Sequence, residues 1–296
     1  MRTCHAWIAS LFLTSLTVQA EEVQTGKPTP PMQLTIDDSF DPPIATPAFA
    51  AGKGPRVAVD EHHQNVVSLS SYLRPVGRFL SRDGYQMQPW RQAVEPAPLK
   101  GIRVLIIANA QAPKGAAATG SAFTVDEVKS LERWVRSGGG LLLIADRAPF
   151  GGPAQELAKA FGVKLDDNTI LTRGQDGKPT GELSLSVKEE GDPAHPIFAG
   201  VSRVVYVVGE SISGPGAVLR APANTYSGPT ADSTDGPSAA GRPLVLAFAH
   251  GKGRVVVIGD AGIASAFGSV GGSTHRGISE ADNATFVRNV IRWLAR

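Results

Sequence analysis

From Arg56 onward the chain alternates short apolar runs with amphipathic stretches. Arg56-Val-Ala-Val-Asp-Glu61, Ile102-Arg-Val-Leu-Ile-Ile-Ala-Asn109, Leu141-Leu-Leu-Ile-Ala-Asp146, Val204-Val-Tyr-Val-Val-Gly-Glu210 and Arg254-Val-Val-Val-Ile-Gly-Asp260 are almost wholly aliphatic and β-branched, and each closes on a polar residue. Runs of this kind predict strands buried on both faces, as in a parallel sheet. Between strands the period changes. Thr124-Val-Asp-Glu127 has capping-box spacing, Val128, Leu131 and Val135 share one helical face, and Gly138-Gly-Gly140 supplies a stop. Asp282 is placed to cap a last helix whose apolar stripe is Phe286, Val287, Val290, Ile291 and Leu294. Residues 66–82 and 153–161 predict two further helices, with Pro75 breaking or kinking the first. Pro243–His250, the turn Gly251-Lys-Gly253 and Arg254–Ile258 predict a hairpin, and the Gly-, Pro- and Ser-rich residues 222–242 a long loop. Strand–helix alternation with short connections predicts an α/β fold: a doubly wound, mostly parallel sheet with an antiparallel hairpin near the C-terminus.

The first 54 residues follow neither period. Residues 1–20 combine Arg2, an apolar stretch from Ala6 to Val18 and the small-x-small exit Val18-Gln-Ala20, the parts of a secretory signal peptide. Cleavage near Ala20 predicts a periplasmic or secreted protein, and no later stretch is apolar enough to span a bilayer. Residues 21–54 carry Pro28, Pro30, Pro31, Pro42, Pro43 and Pro47, which predicts an extended tether or a strap across the domain formed by residues 55–296. The lone cysteine of the 296 residues, Cys4, goes with the signal peptide, which excludes disulfides, cysteine-ligated metals and a cysteine nucleophile. The formal net charge of +2 gives no electrostatic footprint for nucleic acid.

Ligands of open α/β sheets bind beyond the carboxyl ends of the strands. Asn65, Asn109, Asp146, Arg147, Glu210 and Asp260 stand at those ends and are the expected ligand-binding residues. The densest cluster, Asp60-Glu-His-His-Gln-Asn65, offers Asp60, Glu61 and His63 for acid–base work, with Glu61 or His63 as general base. It is compatible with a divalent metal but requires none, since no metalloprotease spacing is present and no third ligand is defined. His195 and His275 are more in keeping with loop anchors. Gly209-Glu-Ser211-Ile-Ser213 lacks the last glycine of a nucleophile elbow, and no helix pattern follows it.

Taken in order, Gly52-Lys-Gly-Pro55, Asp60-Glu-x-His-x-Asn65, Val104-Leu-Ile-Ile-Ala-Asn-Ala110, Ala145-Asp-Arg-Ala-Pro-Phe150 and Gly253-Arg-Val-Val-Val-Ile-Gly259 resemble an exported bacterial family, domain of unknown function 4350, of the class I glutamine amidotransferase-like superfamily. The resemblance spans roughly residues 40–296 and implies a flavodoxin-like α/β sandwich without implying a reaction. Glutamine amidotransferases use a cysteine that the exported chain lacks. The family pattern often has histidine where Arg147 and Val67 stand, and Arg147 favours an anionic ligand instead. Three functions stay open: a binding domain for a carbohydrate or small anion, a hydrolase with or without a metal built on Asp60, Glu61 and His63, and a structural module of a cell-envelope assembly with unidentified protein partners.

Overall fold

The computed structural model describes residues 34–94, 99–117, 120–269 and 275–296; the expected signal peptide and Pro28, Pro30 and Pro31 lie outside these residues. A seven-stranded sheet forms the centre. Its strands are β1 (Arg56–Asp60), β2 (Gln86–Trp90), β3 (Ile102–Ala108), β4 (Gly140–Ile144), β5 (Ala217–Arg220), β6 (Pro243–His250) and β7 (Gly253–Ile258), in the order β5-β6-β7-β4-β3-β1-β2. Strands β7, β4, β3, β1 and β2 run parallel, with Val256 opposite Leu142, Ile106 opposite Leu142 and Ala58 opposite Leu105. Strands β6 and β5 are antiparallel additions, and β6–β7 is the expected hairpin. The sheet is therefore mostly parallel within a mixed α/β fold.

Both sheet faces are buried, so the apolar runs are continuous rather than alternating. On one face Val57, Val59, Val104 and Ile106 pack with α1 (Arg74–Arg82) and α4 (Asn283–Leu294); on the other, Ala58, Leu105, Leu141 and Leu143 pack with α2 (Val125–Arg136) and α3 (Gly151–Ala160). Helix α2 forms as its pattern dictates. Thr124 Oγ1 accepts from the Glu127 amide at 3.2 Å, and the Glu127 carboxylate accepts from the Thr124 amide at 3.0 Å. Helix α4 buries Phe286, Val287, Val290 and Ile291, each contributing on the order of 1.5–3 kcal/mol of transfer free energy.

Four expectations are corrected. The helix predicted over 66–82 begins only at Arg74, because Pro75 occupies the first turn, where its missing N–H leaves no hydrogen bond unmade. Residues 204–210 do not enter the central sheet. Arg203–Tyr206 pairs antiparallel with Leu183–Ser186 in a separate two-stranded ribbon, and Gln86–Trp90 takes the edge position in the central sheet instead. Asp282 precedes α4 without capping it, its Oδ2 accepting from the amides of Ser202 and Arg203. Residues 222–242 contain a short strand, Tyr226–Gly228, paired with Thr169–Arg173.

Of the Pro-rich segment, the described part lies against the domain. Leu34–Ile36 pairs with Ala266–Ser269, and Arg78 Nη1 donates to Asp38 at 3.0 Å. The buried Asp83 carboxylate at the end of α1 accepts from the Ala48 amide at 2.8 Å, from Arg288 at 2.6 Å and from Arg292 at 3.1 Å.

Candidate functional site

The carboxyl ends of β1, β2, β3, β4 and β7 share one edge of the sheet because these five strands are parallel. A bend over residues 61–65 is moored there on both sides. The Glu61 amide donates to the Trp90 carbonyl at 2.8 Å, the Gln111 amide to the His63 carbonyl at 2.9 Å, and Asn65 Nδ2 to the Ala108 carbonyl at 3.2 Å. Gln64 and Asn109 take positive φ values of 51° and 48°, so the chain turns sharply after β1 and after β3.

Asp60 and His63 come together as expected. His63 Nδ1 lies 2.8 Å from Asp60 Oδ2, and both side chains are buried. The third member, Glu127, was legible only as a helix cap, yet its Oε1 stands 3.2 Å from His63 Nε2 and accepts from the Val94 amide at 3.1 Å. Burial disfavours a charged His63, but Asp60 and then Glu127 outweigh it and hold the imidazole pKa above its ordinary value. Glu61 goes elsewhere: its carboxylate accepts from the Ser70 amide and hydroxyl, each at 3.0 Å, and from Arg91 at 3.0 Å.

Beyond β4 and β7 lies a second group of carboxyls. The Asp146 amide donates to Asn109 Oδ1 at 3.0 Å, and its side chain faces the field of Asp260 and Glu210. Burial, then Asp260, pushes the Asp146 carboxyl up to about 8; burial raises Asp260 to about 6 against the pull of the backbone amides bonded to it. Glu210, fully buried, is held well above the carboxylate range. Asp260 is structural, its carboxylate accepting from the amides of Val207, Gly262 and Ile263 at 2.7, 2.7 and 3.2 Å. Glu210 Oε2 accepts from the Asp167 amide at 2.5 Å. The half-buried Asp146 and Arg147, 3.9 Å apart, are the members of this group with solvent access.

Nine buried side-chain polar atoms of the described residues have no hydrogen-bond partner, and four belong to this edge: Asn65 Oδ1, Trp90 Nε1, Gln111 Nε2 and Glu210 Oε1. Asn65 Oδ1 accepts, Trp90 Nε1 and Gln111 Nε2 donate, and Glu210, with Oε2 already accepting, offers Oε1 as a donor when protonated. Trp90 and Gln111 were not expected at the site, because one is the last residue of an unrecognised edge strand and the other follows β3 in a loop. Ser211 is not a free nucleophile, since its hydroxyl donates to Asp166 Oδ2 at 2.8 Å. His195 Nδ1 accepts from the Ile197 amide and His275 pairs with Asp37, so both anchor loops.

No family model matches the chain, and no curated protein matches it by sequence. Solved structures do. The N-terminal domain of mmIFT52 superposes with a TM-score of 0.62 at 17% identity, covering 81% of this chain and 97% of that one. A cytoplasmic protein of Salmonella typhimurium LT2, STM1381, gives 0.51 at 14% identity, covering 82% and 100%. These likenesses establish a shared α/β fold and nothing about ligands. A putative ThuA-like protein from Bacteroides uniformis ATCC 8492 aligns at 0.46 and 14% identity over 86% and 94%, a level that adds nothing to the fold argument.

Proposed function

We propose that the chain is an exported α/β binding domain whose strand-end edge takes a small polyhydroxylated ligand of carbohydrate type. The carrying observation is the solvent-reaching Asp146–Arg147 pair at that edge, together with the unpartnered buried donors and acceptors on the same edge: Asn65 Oδ1, Trp90 Nε1, Gln111 Nε2 and Glu210 Oε1. Buried polar groups are rarely left without partners, and a run of hydroxyls, each both donor and acceptor, complements such a mixed set. Asp146, kept protonated near neutral pH by its surroundings, adds a donor, and Arg147 beside it adds a fixed cation. With Glu210 and Asp260 close by, the acidic surroundings favour a neutral ligand over the anion that Arg147 alone would suggest. Glu61 is committed to Ser70 and Arg91 and both nitrogens of His63 are engaged, which leaves the hydrolase reading less support.

The arrangement accords with a flavodoxin-like, class I glutamine amidotransferase-like sandwich and with the exported family of unknown function that the motifs resemble; residues 1–20 support a periplasmic or secreted location. A thermal-shift and calorimetric panel of mono- and oligosaccharides beside small carboxylates tests the reading. A saccharide should raise Tm, and Arg147→Ala should remove that shift while leaving the unliganded Tm within about 1 °C, as for an ordinary surface change. No saccharide response, or an equal response in Arg147→Ala, overturns it.

A further inference from the structure

The bend after β1 and the first turn of α2 bring His62, His63 and Glu127 so close that one ligand atom from each lies within 4.8 Å of the other two. We propose that these three side chains form a site for one divalent transition-metal ion of the zinc class, with Asp60 as the positioning residue of His63. The inference is independent of the saccharide reading.

The geometry of His63 leads to it. Asp60 Oδ2 is a hydrogen-bond acceptor 2.8 Å from Nδ1, and Oδ1 of the same buried carboxylate already accepts from the His62 amide at 3.1 Å. The ring proton therefore belongs on Nδ1, and Nε2 turns its lone pair toward Glu127 Oε1, 3.2 Å away. Two lone pairs facing each other need a cation between them, either a second ring proton or a metal ion. Neighbouring donors around a tetrahedral zinc ion, with bonds of about 2.0–2.1 Å, stand roughly 3.3–3.4 Å apart, close to the distance seen. Glu127 can offer the second lone pair of Oε1 to an ion while that oxygen keeps the Val94 amide and Oε2 carries the Thr124 contacts of the capping box. The imidazole is also fixed in rotation, tilted against the Phe123 ring with centroids 4.2 Å apart.

His62 supplies the third ligand from the solvent side, its ring edge-on to His63 at 5.0 Å, and it is exposed while His63 and Glu127 are buried. Three protein ligands with a solvent-facing fourth position is the pattern of an ion that accepts an outside ligand. Two imidazoles and one carboxylate select zinc, cobalt or nickel over magnesium and calcium, which prefer all-oxygen shells. The Asp60–His63 contact is the carboxylate–histidine pairing that orients a metal-binding imidazole and raises its basicity.

The test uses the untagged protein, stripped with chelator, then equilibrated with Zn²⁺ or Mg²⁺ and desalted before elemental analysis. One zinc and no magnesium per chain is the expected result. His62→Ala, at an exposed position, should keep the wild-type near-ultraviolet circular dichroism and lose stoichiometric zinc. Asp60→Asn should bind zinc about 10–100-fold more weakly, as second-shell changes do. His195→Ala should bind as wild type. Substoichiometric zinc on the wild type, or wild-type affinity in His62→Ala, overturns the proposal and leaves a proton as the cation between His63 and Glu127.

Discussion

Asp146→Asn isolates the electrostatic strain of the strand-end edge. Asparagine is isosteric and its Oδ1 can keep the Arg147 amide contact at 2.8 Å. The groups that act on the carboxyl are Asp260 and Glu210 on the repulsive side, and Arg147 and Asn109 on the favourable side. Its pKa rises from 3.8 to about 8. A folded-state pKa above the unfolded one means that the folded chain holds the proton more tightly. The stability linked to Asp146 is therefore fully present below about pH 4 and is lost as the pH rises through about 8. The rise is roughly four units, and at ~1.4 kcal/mol per unit the ceiling is on the order of 5 kcal/mol. The side chain is 15% exposed, so turning toward water should leave ~2–3 kcal/mol of that loss. Urea unfolding near pH 5 and near pH 9 reads the difference directly. Wild type should lose more stability than Asp146→Asn between the two, with the variant the more stable near pH 9. Parallel profiles, or a variant that is weaker near pH 9, would refute the coupling of these carboxyls.

Two further predictions concern the frame that holds the site. Asp83→Ala should destabilise by ~3–5 kcal/mol in chemical denaturation, because it leaves Arg288 and Arg292 facing a buried gap; a change under about 1 kcal/mol would show that the contact is energetically idle. Burial works to raise the Asp83 pKa, but Arg288, the Ala48 amide and Arg292 hold it below 3.8, so the stability it contributes is present above that value and lost as pH falls through its folded pKa. Gly259→Ala would place a methyl group 2.3 Å from the Glu210 carbonyl oxygen and 2.5 Å from the Tyr206 hydroxyl. It should lower stability by ~1–3 kcal/mol, as overpacking does, and differential scanning calorimetry giving an unchanged Tm would contradict the close packing of these segments.

The central strands β1, β3, β4 and β7 were legible because both faces are buried and nothing interrupts their apolar runs. Strand β2 was not. Gln86, Gln88 and Pro89 break any apolar run, and they are tolerated because an edge strand has one paired side and Pro89 needs no donor on the other. Residues 204–208 failed in the opposite direction: their run is as apolar as that of β4, but only 204–206 are strand, in a ribbon packed into the core, while Val207 and Val208 lie half-buried beyond it, a distinction that composition does not carry. At the site, Asp60 with His63 and Asn109 with Asp146 follow from strand ends. Glu127 does not, since its partner is 64 residues away and its local signal is fully explained by the capping box.

The tie at Asp83 has a consequence for how the two ends of the chain depend on each other. One oxygen of this fully buried carboxylate is shared by the Ala48 amide near the start of the described chain and by two arginines within nine residues of its end. Neither terminal segment can satisfy the group alone, and a buried carboxylate lacking its cations costs several kcal/mol. The two ends of the described chain are thereby coupled through one oxygen, so removing either segment leaves a buried charge short of partners at the other.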